Sequence, residues 1–156
     1  MLDGKALRDT LKKIFNVEDK YLVPLNSDWF IPTTDPNDKT GTWIGYRILN
    51  KKAYARAYQS GVYYVRPFKI RIRLSFVGPQ AEHLADQTMF WEDRTDVKEA
   101  FEEYQAQMNY NDREQFSYPI RNSGYNDMEA WIVDIAAQTY MQMDTKQRPW
   151  VPRDDD

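Results

Sequence analysis

Hydrophobic and polar residues alternate most regularly in Pro67 to Gln80, PFKIRIRLSFVGPQ. There Phe68, Ile70, Ile72, Leu74 and Phe76 take turns with Lys69, Arg71, Arg73 and Ser75. A period of two is that of a strand with one buried face and one face left to solvent or a partner. Burying these apolar side chains contributes about 1.5–3 kcal/mol each, so this face is expected to anchor the core. Pro67 marks the start of the strand or a bulge, Gly78-Pro79 ends it, and Pro79 suits the first turn of a following helix.

The other elements are placed around this strand. Leu7, Leu11, Ile14 and Phe15 form one helical stripe within Asp3 to Phe15, with Asp3 as N-cap and Asn16-Val17-Glu18-Asp19 as the stop. Tyr21 to Asp38 is rich in Pro, Asn and Asp and reads as an irregular wrap with one short strand, pinned by Trp29. In Thr42 to Leu49 the residues Ile44, Tyr46 and Ile48 alternate with Trp43, Gly45, Arg47 and Leu49, a strand with apolar groups on both faces.

Lys51 to Arg66 sets Tyr54, Tyr58, Tyr63 and Tyr64 around Gln59-Ser60-Gly61. It reads as a long tyrosine-rich hairpin with Gly61 supplying a positive φ, and a disordered loop is the alternative. Leu84, Thr88 and Trp91, then Val97, Ala100, Phe101 and Tyr104, predict a broken helix over Gln80 to Asp93 and Thr95 to Gln107, the second piece capped by Thr95. Asn109 to Asp127 reads as a polar connection, and Met128 to Met143 as a strand, firmest over Trp131 to Tyr140, although the Ala-rich IVDIAAQTY also allows a helix.

The fold class expected is α+β: one small domain over residues 1–145, mostly antiparallel sheet with a long hairpin, packed by the N-terminal helix and the broken helix. Lys146 to Asp156, KQRPWVPRDDD, is an extended arm whose Trp150 is available to dock on a neighbour.

Charge changes this picture from a fold to a surface. The window from Lys39 to Ala81 holds nine basic residues and no Asp or Glu. All 24 carboxylates lie outside it with only 12 basic residues, so the remainder carries −12 under a net charge of −3. Such segregation points to a nucleic-acid surface or to a head-to-tail contact between subunits, with a merely solvated basic face as the alternative.

The chain has no cysteine, which excludes disulfides, thiolate metal sites and a Cys nucleophile. The single histidine, His83, has no nucleophile motif beside it and reads as structural. Metal-ligand spacing and glycine-rich phosphate loops are absent, and Glu92-Asp93 and Glu102-Glu103 read as solvated helix faces. A non-enzymatic protein without cofactor or metal is expected. No apolar run of membrane-spanning length and no signal-peptide core occur, so a soluble protein kept in the cytosol is expected.

The order of elements, and above all the strand KIRIRLSFVGPQAEHLAD running through Phe76-Val77-Gly78-Pro79-Gln80-Ala81-Glu82-His83-Leu84-Ala85, resembles the tail-terminator or neck-terminator proteins of tailed bacteriophages. The sharp part of the likeness is about ten residues long, and the remainder follows in order of elements. The resemblance implies a virion protein, assembled in the host cytoplasm, that forms a ring, usually a hexamer, at the head-proximal end of the tail. There it ends tube polymerisation, meets the tail tube protein and the head-side connector, and lets genomic DNA pass through its lumen without sequence-specific binding.

On this reading the interface residues are Arg56, Tyr58, Tyr63, Tyr64, Arg66, Lys69, Arg71, Arg73 and Trp150. A nucleic-acid-binding module using the same basic hairpin, or another phage connector or baseplate adaptor, is the alternative.

Overall fold

The computed structural model describes residues 1–25, 41–119 and 129–145. Helix α1 (Gly4–Phe15) begins where the Asp3 carboxylate accepts a hydrogen bond from the Ala6 N–H at 2.8 Å, and it ends at Asn16, whose φ of 50° is left-handed. Its apolar stripe buries Leu7 and Leu11 completely.

After a 3-10 turn, strand β1 (Leu22–Pro24) runs parallel to β2 (Trp43–Ala53). Strand β3 (Tyr58–Ser60) then turns through Gly61, φ 60°, into β4 (Tyr63–Val77). Helix α2 (Ala81–Gln87), a 3-10 segment (Thr88–Asp93) and helix α3 (Thr95–Glu102) follow, and β5 (Ala106–Pro119) and β6 (Glu129–Asp144) complete the sheet. The strand order is β1-β2-β4-β6-β5, antiparallel except at β1, with β3 also paired to β4. This is the expected α+β domain.

Strand β4 lies at the centre, as its alternation demands. Ile70, Ile72, Leu74 and Phe76 point into one core with Val133, Ile135 and Ala137 of β6, beneath α1, α2 and α3. Phe15, Trp91 and Phe101 pack over it as tilted rings and Phe15 meets Phe76 edge to face, with centroids 5.7–5.9 Å apart. On the opposite sheet face, at one end, Trp43, Val77, Ala130 and Ile132 form a small second core under Tyr21, whose ring meets Trp43 at 5.1 Å. Apolar groups on both sides of β2 are thereby explained within one chain.

Four sequence-based expectations change. Residues 106–119 form the fourteen-residue strand β5, where a helix end and a polar connection were expected. A register shift between Asn109 and Arg113 breaks its alternation. Thr95 is the first helical residue, and Arg94 precedes it as the cap with no side-chain cap bond. Pro79 belongs to a turn ahead of α2, which starts at Ala81 with Gly78 at φ 137° accepting the Ala81 N–H. Pro67 is inside β4, not at its start. It faces Tyr140 of β6 on one side, while its other side falls between the end of the β2 pairing at Phe68 and the β3 pairing at Val65, where no ladder donor is needed. The expected pin Trp29 lies outside the described residues.

Candidate interaction surface

All three helices cover one face of the sheet, and among the described residues no helix lies on the other. The alternation of β4 places Lys69, Arg71 and Arg73 there, and β2 adds Arg47 and Lys52. Across the β2–β4 ladder Arg47 stands directly opposite Arg73, and Lys52 opposite Lys69. Like charges facing each other across strands destabilise a sheet, by a few tenths to about 1 kcal/mol for a pair. Of these pairs, Lys52 and Lys69 are the one in which neither member forms an ion pair among the described residues, and their mutual repulsion points to a use other than stability.

The chain neutralises part of this ladder itself. Arg73 makes a two-pronged ion pair with Asp134 of β6, both contacts at 2.8 Å, and its guanidinium lies 5.8 Å from the Phe116 ring. Asp134 is only 4% exposed, so this pair belongs to the architecture. Arg71 reaches Asp112 at 3.3 Å, which the irregular register of β5 lets approach from the sheet edge. Lys69 instead lies over the Tyr54 ring, 5.1 Å from its centre. Lys52, Arg56 and Arg66 are exposed and form no ion pair among the described residues.

The nine residues expected as one interface are therefore divided. Tyr63, Lys69, Arg71 and Arg73 share the open face, with Arg73 largely withdrawn into its ion pair. Tyr64 and Arg66 fall on the alternate positions of β4 and so on the other side, as a period-two count carried back from Lys69 already requires. Tyr58 lies on β3, facing β4, Arg56 lies in the connection between β2 and β3, and Trp150 is outside the described residues. The tip of the hairpin is rich in exposed aromatic surface, Tyr58 being 56% exposed, and Tyr54, Tyr63 and Tyr64 are exposed beside it. Lys52 was missed, although its distance from Gly61 along a hairpin sets it near Lys69.

The part of the helical layer formed by α2, the 3-10 segment and α3 has the opposite charge, while α1 is basic and its Lys13 pairs with Glu103 at 2.6 Å. Residues 81–103 hold eight carboxylates against Arg94 and Lys98, and Arg94 is already committed to Asp96 at 2.6 Å, which holds that carboxyl below its usual range. Met89 and Phe90 are exposed in the same layer, the latter 63% exposed. Arg113 ties this layer to β5. Its guanidinium donates to the Thr88 hydroxyl and to the Ala85 carbonyl, both at 3.0 Å, and to Gln115, which in turn donates to Asp86 at 2.7 Å. Burial pulls that guanidinium down from its ordinary range, and nearby Asp86 opposes the shift.

A cleft of about 510 Å³ opens where the hairpin leaves the helical layer. Tyr54, Tyr58, Tyr140 and Pro67 give it apolar walls, and Glu102, Gln107 and Gln138 give it polar ones. Beside it Tyr110 lines a second cleft, and burial with Glu92 and Glu102 nearby pushes its hydroxyl up. Among the described residues no cluster of His, Asp or Glu is placed to hold a metal ion, and no helix is long and apolar enough to cross a membrane.

The arrangement is thus one of contact surfaces: a basic sheet face with an aromatic hairpin, an acidic helical face turned the other way, and a tyrosine-lined cleft between them. No protein-family model matches the chain, and no curated protein matches it.

Proposed function

We propose that the chain is a structural subunit that assembles head to tail into a ring and serves as a terminator at the head-proximal end of a phage tail. The observation that carries the self-assembly is the placement of opposite charge on opposite faces. A heterologous contact joins two different faces of identical subunits, and complementary potentials across it fix register and reject wrong pairings. The repulsion between Lys52 and Lys69 is relieved when the carboxylates of a neighbour's helical layer arrive. The position in a phage tail is supported by the sequence resemblance around Phe76 to Ala85.

Lys52→Glu with Lys69→Glu tests this reading, since both side chains are exposed and neither forms an ion pair among the described residues. The double variant is expected to fold normally and to need at least about tenfold more protein to assemble, about 1.4 kcal/mol per contact. Normal assembly of the folded variant would overturn the use of this face.

A second reading rests on Lys69 over the Tyr54 ring and on the exposed Tyr58 and Tyr63 beside it, the cation and aromatic mixture that holds single-stranded nucleic acid. It predicts salt-sensitive binding of single-stranded DNA by the unassembled chain, lost in the same double variant.

A further inference from the structure

We propose that the exposed Met89-Phe90 pair of one copy seats on Tyr58 and Tyr63 of the next copy, as the apolar centre of the contact between them. This rests on the reading of the chain as a self-assembling subunit and names the side chains that anchor it. In the 3-10 segment Thr88–Asp93, side chains three residues apart eclipse one another. Thr88 and Trp91 turn into the core, which leaves Met89 with Glu92 and Phe90 with Asp93 as two exposed pairs. Each apolar side chain thus carries a carboxylate one turn away. Single exposed apolar residues are ordinary on a protein surface, but two adjacent ones rimmed by charge have the make-up of an interface centre.

The hairpin offers the complementary surface. Tyr58 pairs with Val65 and Ser60 with Tyr63 across the β3–β4 ladder, so Tyr58 and Tyr63 lie on the same side as Lys69, and Lys52 stands opposite Lys69 on β2. Two exposed rings therefore sit beside two cations, as Met89 and Phe90 sit beside two carboxylates. One chain does not bring the two patches together. Thr88 is held by Arg113, which pairs with Ile135 and so lies level with Ile72 of β4. Tyr63 lies nine residues back along β4, roughly 30 Å away at the rise of a strand, and on the face away from the helices. A patch and its complement on different faces of one molecule make a heterologous contact between copies. Aromatic side chains carry most of the energy of such a contact, and the charges around them set its register.

Because the sequence has no cysteine, single cysteines report the contact cleanly. Full-length chains carrying Ser60→Cys are mixed with full-length chains carrying Met89→Cys, and disulfide-linked pairs between the two are counted after mild oxidation. Lys5→Cys, exposed at the end of α1 remote from Phe15 and Trp91, replaces Met89→Cys as the control. Linked pairs are expected to form at least about tenfold faster with Met89→Cys than with Lys5→Cys, and to fall to the control rate when Phe90→Ser is added to the Met89→Cys chain. Phe90 is exposed, so Phe90→Ser is expected to unfold in urea at the wild-type midpoint, and Phe90→Leu, which keeps apolar bulk, to retain most of the linkage. Equal rates at the two positions, or linkage indifferent to Phe90→Ser in a folded chain, would each overturn the proposal. Light scattering on chains without cysteine separates it from the ring. A closed ring that survives Phe90→Ser but is lost in Lys52→Glu with Lys69→Glu removes the anchor alone, and preferential linkage in particles that never close removes the ring and keeps the anchor.

Discussion

Trp91→Ala is expected to lower the unfolding free energy by about 3–5 kcal/mol, the range for truncating a large buried aromatic. Trp91 is 1% exposed and stands between Phe15 of α1 and Phe101 of α3, so its ring links these two helices in the core. Its indole N–H is buried without a hydrogen-bond partner. Trp91→Phe removes that unsatisfied donor along with part of the ring, and so should cost much less, about 1 kcal/mol. Urea unfolding followed by far-ultraviolet circular dichroism reads both. Equal losses in the two variants would show that the indole, not the aromatic packing, is what the core requires. The functional consequence is specific: the acidic face, with Met89 and Phe90 on it, is carried by this layer and should be lost with it.

Arg73→Ala is expected to destabilise by about 3 kcal/mol, because it leaves the Asp134 carboxylate nearly buried with no counter-charge. Replacing both members, Arg73→Met with Asp134→Leu, should recover most of the loss, since a well-packed apolar pair often equals or exceeds a buried ion pair. A cost below about 1 kcal/mol for Arg73→Ala would mean that the pair behaves as a surface salt bridge. The distinction governs how the basic face is probed. An assembly defect in an Arg73 variant reports a weakened fold, whereas one in a Lys52 or Lys69 variant reports the contact.

The chain shows which parts of a fold its own pattern can carry. Strand β4, strand β6 and helix α1 were legible because each buries one continuous apolar face, and the Asp3 cap because a carboxylate three residues before Ala6 meets its N–H in only one way. Strand β5 was not, for a physical reason. Beyond Ala106 and Met108 its core-side positions pass to Arg113 and Gln115, which satisfy helix α2 and the 3-10 segment by hydrogen bonds in place of apolar contact. An edge strand whose inner face is polar and whose register is broken resembles a loop in sequence.

The candidate surface was legible in part. Segregated charge marked Lys69 and Arg71, and the tyrosines marked the hairpin. The pairing of Arg73 with Asp134, 61 residues away, exists only once β4 and β6 are neighbours. The cleft likewise needs Tyr54, Tyr140 and Gln107 from three strands, and no single stretch announces it.

The most direct measurement is the mass of the intact protein by light scattering as salt is raised from about 0.05 M to 1 M. At 1 M the screening length falls to about 3 Å, and contacts between exposed charges are largely lost. The account predicts a closed particle at low salt, of about six copies as the terminator resemblance implies, giving way to smaller species as salt rises. A monomer at every salt and protein concentration would contradict the claim that opposite faces of this chain are made for each other.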